Sequence, residues 1–146
     1  MNFLDNLAVS SSGLSAQRLR MNLISSNLAN INTTRTETGE PYKRKDVLFE
    51  AVQENGFKNA LDEQLETPVN GVKVAQVIED EKPFILKYDP GHPDADADGY
   101  IQLPNVNIVE EMVNMISASR SFEANATAVR TTKDMAGMAL DIGNSP

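Results

Sequence analysis

Near the start of the chain, Leu7, Leu14, Met21 and Leu28 recur at every seventh place. Phe3, Ile24 and Ile31 lie on the neighbouring row, whose other places hold polar Ser10 and Gln17. This pattern predicts one helix from about residue 2 to residue 30, reaching ~40 Å at 1.5 Å per residue. The run Ser10-Ser11-Ser12-Gly13 is its weak step. Glycine costs roughly 1 kcal/mol relative to alanine inside a helix, so a bend or a close helix contact is expected there. The far end repeats the pattern more strongly. Ile108, Met115, Phe122, Val129 and Ala136 form one row, and Met112, Ser119, Ala126, Lys133 and Leu140 its partner. Eight of these ten places are apolar, which predicts an amphipathic helix of coiled-coil character. Asn105 or Asn107 is positioned to cap it, Glu110 and Glu111 fall where the helix dipole favours acids, and Gly143 and Pro146 stop it. Small residues such as Ala118, Ser119 and Ala126 leave room for a second helix.

Between the helices the periodicity changes from seven to two. Residues 71–78 alternate and are β-branched, and 84–88 read as a second strand after Pro83. Residues 46–52 and 100–103 read as two more. The reading is one small antiparallel sheet of three or four strands, leaning on the helices for stability. Residues 53–70, with Asn55-Gly56 and an acidic run, read as a loop or a short exposed helix. The fold class is therefore α+β: 1–35 an N-terminal axial helix, 36–103 an acidic β-rich middle with an insert at 53–70, and 104–146 a C-terminal axial helix.

Charge sharpens this division. Residues 1–35 carry net +2 and 104–146 net −2, so the whole formal charge of −8 falls in 36–103. That balance argues against nucleic acid, which requires a basic footprint. Six of the seven prolines lie at 41–104, leaving both helical stripes uninterrupted. Each stripe must be covered. Pairing within the chain covers part of it, and other copies or sister subunits are the alternative cover. We expect Leu7, Leu14, Met21, Leu28, Met112, Met115, Phe122 and Val129 to form the assembly interface.

Chemistry is sparse. No cysteine removes disulfides and thiolate sites, and one histidine, His92, leaves no relay. Asp94-Ala95-Asp96-Ala97-Asp98-Gly99 opens like a calcium loop, but its twelfth place is Asn105 instead of a bidentate glutamate. A solvated acidic turn is the reading, with no metal, cofactor or catalytic residue assigned. Lys43-Arg44-Lys45 reads as a solvated lead-in to a strand, with an acidic partner surface as the other reading. The first twenty residues lack a basic n-region and a compact apolar stretch, so no cleaved signal is expected.

The stretch Ser11-Ser12-Gly13-Leu14-Ser15-Ala16-Gln17-Arg18, followed by Ser26-Asn27-Leu28-Ala29-Asn30-Ile31-Asn32-Thr33, resembles the N-terminal signature of bacterial flagellar rod and hook proteins. Asn30 and Asn32 are expected to stop the first helix by tolerating left-handed backbone and bonding nearby amides. The segments Gly71–Val74, Tyr88–Pro93, Asp98–Asn107 and Glu111–Asn125 resemble the proximal-rod branch of that family. The resemblance implies a structural axial subunit of the flagellar basal body that is not an enzyme. Its implied partners are copies and sister rod subunits in a helical tube, the flagellar type III export apparatus, and basal-body ring or export-gate adaptor proteins. It further implies export without a cleaved signal and a place in a rod crossing the periplasm. A secreted acidic calcium-binding or adhesive module is the alternative from the residues alone.

Overall fold

A computed structural model describes residues 3–53 and 70–143. The elements are α1 (Phe3–Ala29), β1 (Lys45–Gln53), β2 (Asn70–Glu79), β3 (Ile85–Tyr88), β4 (Tyr100–Leu103) and α2 (Ile108–Gly143). The architecture is α+β, with the helices at the two ends of the chain and the strands between them. The loop or short helix expected between β1 and β2, and Pro146 as a helix stop, lie outside the described residues.

The strands form two two-stranded sheets, β1 with β2 and β3 with β4, where one sheet was expected. Ion pairs Lys45–Glu79 and Lys73–Glu50 run down the first sheet in opposite senses, as antiparallel strands require. In the second, Ile85 faces Leu103 and Tyr88 faces Tyr100. The division has a local cause. Pro83 has no N–H to carry a ladder onward, and the Asn105 amide donates to the carbonyls of Asp80 and Lys82, ending β2 and redirecting the chain.

α1 ends without left-handed backbone: among the described residues only Gly39 and Gly99 have positive φ. Instead the Asn30 amide donates to the Ser26 carbonyl at 2.9 Å, and Thr33 bonds both the Asn30 carbonyl and its side-chain oxygen. Asn30 therefore closes the helix by capping a carbonyl, and the expected left-handed turn is not used. At the start of α2, Asn107 is the cap, its Oδ1 accepting from Val109 at 2.9 Å and Glu110 at 3.4 Å.

The chain divides into two compact units, and each draws on both helices. The first comprises Met1–Leu19, Phe49–Ala75 and Ala118–Pro146; the second comprises Arg20–Leu48 and Gln76–Ser117. In the first, Ala16 and Ala118 are buried. Gly13 lies so close to Asn125 that a Cβ there would sit 3.0 Å from its Nδ2. This is the close helix contact expected at the Ser-Ser-Ser-Gly step. In the second unit the buried apolar residues include Ile24, Ile101 and Val106, with Pro41 and Pro104.

Candidate assembly surfaces and a buried polar cluster

Of the eight residues expected at an interface, seven are half-buried within the chain: Leu7, Leu14, Met21, Leu28, Met115, Phe122 and Val129. Met112 stands apart at 54% exposure. It belongs to a different stripe of α2. Ile108, Val109, Met112, Val113 and Ile116 are 52–70% exposed, spaced along the helix so that they share one side. Further along α2, in the first unit, Met135, Met138 and Ile142 repeat the pattern at 62–77% exposure. Met115, Phe122 and Val129 of the heptad row are thus half-buried, and the side of α2 most available to another molecule takes Ile108 and Met112 from the heptad rows and Val109, Val113 and Ile116 from outside them. Contiguous exposed apolar surface of this kind marks interaction sites.

The acidic turn uses its oxygens internally. Asp96 Oδ1 accepts from the amides of Asp98 and Tyr100 at 3.0 and 2.8 Å. Asp94 accepts the Thr34 hydroxyl at 2.7 Å, and His92 Nδ1 accepts the Asp94 amide at 3.1 Å. Gly99, at φ 79°, closes the turn beneath Tyr88, where a Cβ would meet the ring at 3.0 Å. Among the described residues no group of three acidic or histidine side chains is placed to hold a metal.

Each residue of the basic run has an acidic partner, with the two lysines left at the surface and Arg44 alone drawn in. Lys43 pairs with Glu40 at 3.0 Å and Lys45 with Glu79 at 3.7 Å. The bond and charge of Glu40 raise the Lys43 pKa. Arg44 turns inward, its side chain 12% exposed, and its Nε donates to Glu111 Oε1 at 2.8 Å. Its Nη1 donates to Asp46 at 3.2 Å and lies 3.9 Å from Asp80. Burial works to lower the Arg44 pKa, but the bond and charge of Glu111, with those of Asp46, outweigh it and raise it above the ordinary value. Glu111 lies in the first turn of α2, as expected, and is fully buried there. Burying such a charge is tolerable only because Arg44 and a second donor complete it.

That second donor is Asn27, also fully buried. Its Nδ2 donates to Glu111 Oε2 at 3.0 Å and to the Lys45 carbonyl at 2.8 Å. Its Oδ1 accepts from the Tyr42 hydroxyl and the Lys45 amide, both at 2.9 Å. Asn105 Oδ1 accepts the Arg44 amide at 3.1 Å. Residue types alone did not single out this cluster. The available signal was phase: Asn27 follows Ile24 by three residues, and Glu111 precedes Met115 by four, which places both on inward faces.

Comparison with known proteins bears on what such surfaces serve. Residues 7–35 match the family model described as flagella basal body rod protein. Residues 97–142 match that of the flagellar basal body rod FlgEFG protein C-terminal region. The chain is 45% identical to the flagellar basal-body rod protein FlgC of Borreliella burgdorferi, over 97% of this chain and 98% of that protein. It is 47% identical to the FlgC protein of Bacillus subtilis, over 98% and 99%. Against that of Salmonella typhimurium the identity is 41% over the same shares.

Proposed function

The chain belongs to the family of flagellar basal-body rod proteins called FlgC, and on that premise we propose that it is a structural subunit of the proximal rod, assembling with copies of itself and sister axial proteins into the shaft that transmits torque. The observation that carries the assembly reading is the exposed stripe of Ile108, Val109, Met112, Val113 and Ile116. Fully burying a large apolar side chain contributes about 1.5–3 kcal/mol, so each half-exposed member has about 1 kcal/mol still to gain from a neighbour. The inward rows, from Leu7 to Leu28 and from Met115 to Val129, pack the subunit itself and complete their burial in the assembly.

In this reading the subunit is exported unfolded by the flagellar type III apparatus without a cleaved signal, and the rod it joins crosses the periplasm. Basal-body ring or export-gate adaptor proteins are its further partners. Stripes that gain their full burial only among neighbours suit a chain that orders on assembly. The dilute monomer should accordingly show much less helix by circular dichroism than the assembled form. The deciding experiment is a strain whose sole copy carries Val113→Asp. It should secrete the subunit yet fail to swim. Normal swimming would remove the stripe from the assembly surface.

A further inference from the structure

Asn27 spends its entire hydrogen-bonding capacity, two donors and two acceptors, inside the second unit. Two of the four bonds go to the N–H and C=O of one residue, Lys45, the first residue of β1. An adjoining strand would hold Lys45 in the same way, so a helix side chain stands in for a strand. The amide has only one workable orientation. An ionised carboxylate accepts and never donates, so the edge facing Glu111 must be Nδ2. The oxygen edge then meets the Tyr42 hydroxyl and the Lys45 amide. Glu111 is itself held by Arg44 Nε on its other oxygen. Orientation therefore passes from α2 to α1 to the start of β1.

We propose that Asn27 is the positioning residue that sets where β1 begins, and that Glu111 orients it. The segment 42–46 then docks only on a chain whose two helices already lie side by side in this unit. The strand cannot order ahead of the helix pair, whatever its own propensity. This goes beyond the rod-subunit reading, and it rests on that reading only for its cellular readout.

The test is a donor–acceptor exchange. Asn27→Asp alone sets a carboxylate oxygen against Glu111 Oε2, acceptor against acceptor. Glu111→Gln alone keeps its bond from Arg44 and turns an amide nitrogen toward Asn27 Nδ2, donor against donor. With both changes the glutamine nitrogen at 111 meets the aspartate oxygen at 27, so that contact is complementary again, while the same oxygen still faces the Lys45 carbonyl without a proton between them. Each single variant, as the sole copy in a strain, should lower the subunit retained in isolated basal bodies by about tenfold. The double variant should retain several-fold more than Asn27→Asp alone, which shares its unpaired Lys45 carbonyl and also lacks the bond to residue 111. Retention of either single at the parental level, or a double no better than Asn27→Asp, overturns the proposal. Ala118→Asp, in the buried helix contact of the first unit, is the control and should not be retained. If that strain swims normally, the rod-subunit reading fails. The positioning role is then decided on the purified full chain, where exchange of the Lys45 amide in deuterated water must show the same crossed pattern or the proposal falls.

Discussion

Both units bring the two helices and a strand together, and they do it by different means. In the first, contact depends on small size. Gly13 admits Asn125, and Ser12 accepts the Val72 amide at 3.0 Å while donating to the Val9 carbonyl at 2.7 Å. Gly71 rests against the same serine, where a Cβ would sit 3.3 Å from the hydroxyl oxygen. In the second, contact depends on matched polarity, through a fully buried glutamate and asparagine and an inward-turned arginine joined by hydrogen bonds. A contact made by small groups tolerates rotation and sliding, because dispersion has little direction. A contact made by charge-assisted hydrogen bonds holds one geometry and is costly to break. The first unit thus allows close approach, whereas the second specifies alignment.

Substitutions can break or sharpen this contrast, read as the urea concentration that releases the subunit from isolated basal bodies. The largest effect is expected from Glu111→Ala, about 3–5 kcal/mol, because Arg44 would stay buried without its main partner. A small change in the release midpoint would mean the polar cluster is incidental. Phe122→Asp comes next. It removes a half-buried aromatic from the inward row and costs about 3 kcal/mol, while export continues. Gly13→Val should cost about 1–3 kcal/mol by forcing Asn125 away. If it proves neutral, size is not what the first unit depends on. Ser12→Ala, which strands the Val72 amide, should cost about 1 kcal/mol. Arg35→Ala should stay within about 0.5 kcal/mol, since its contact to Asp94 is 4.0 Å long and its side chain 71% exposed.

The sequence reading succeeded where periodicity carries the information. Both helices and all four strands lie within a residue or two of their expected places, because alternation and heptad spacing follow directly from strand and helix geometry. The close approach at Gly13 was legible because glycine in a helix interior needs a reason. Strand pairing was less legible: which strand joins which depends on the Asn105 bonds to Asp80 and Lys82, made across more than twenty residues. The buried cluster was hidden by its chemistry. An acid in the first turn of a helix and a base in a run of three both have ordinary surface explanations, and only three-dimensional pairing shows that Glu111 and Arg44 use neither. The heptad rows were read correctly as apolar faces. The stripe from Ile108 to Ile116 was legible only in part: Ile108 and Met112 stand on the rows, whereas Val109, Val113 and Ile116 lie off them.

The chain contains no tryptophan and three tyrosines. Tyr42, Tyr88 and Tyr100 all fall in the second unit. Two of them form an edge-on pair with ring centroids 5.3 Å apart, and the third donates its hydroxyl proton to Asn27. The first unit holds no ring that emits appreciably above phenylalanine. Intrinsic ultraviolet emission from this protein is therefore a signal of the second unit alone, and its Tyr42 component reports the protonated, hydrogen-bonded phenol at Asn27. Tyr42→Phe would subtract that component and leave the Tyr88–Tyr100 pair as a background. A single unlabelled sample could then follow alignment in one unit, while far-ultraviolet dichroism follows the helices in both.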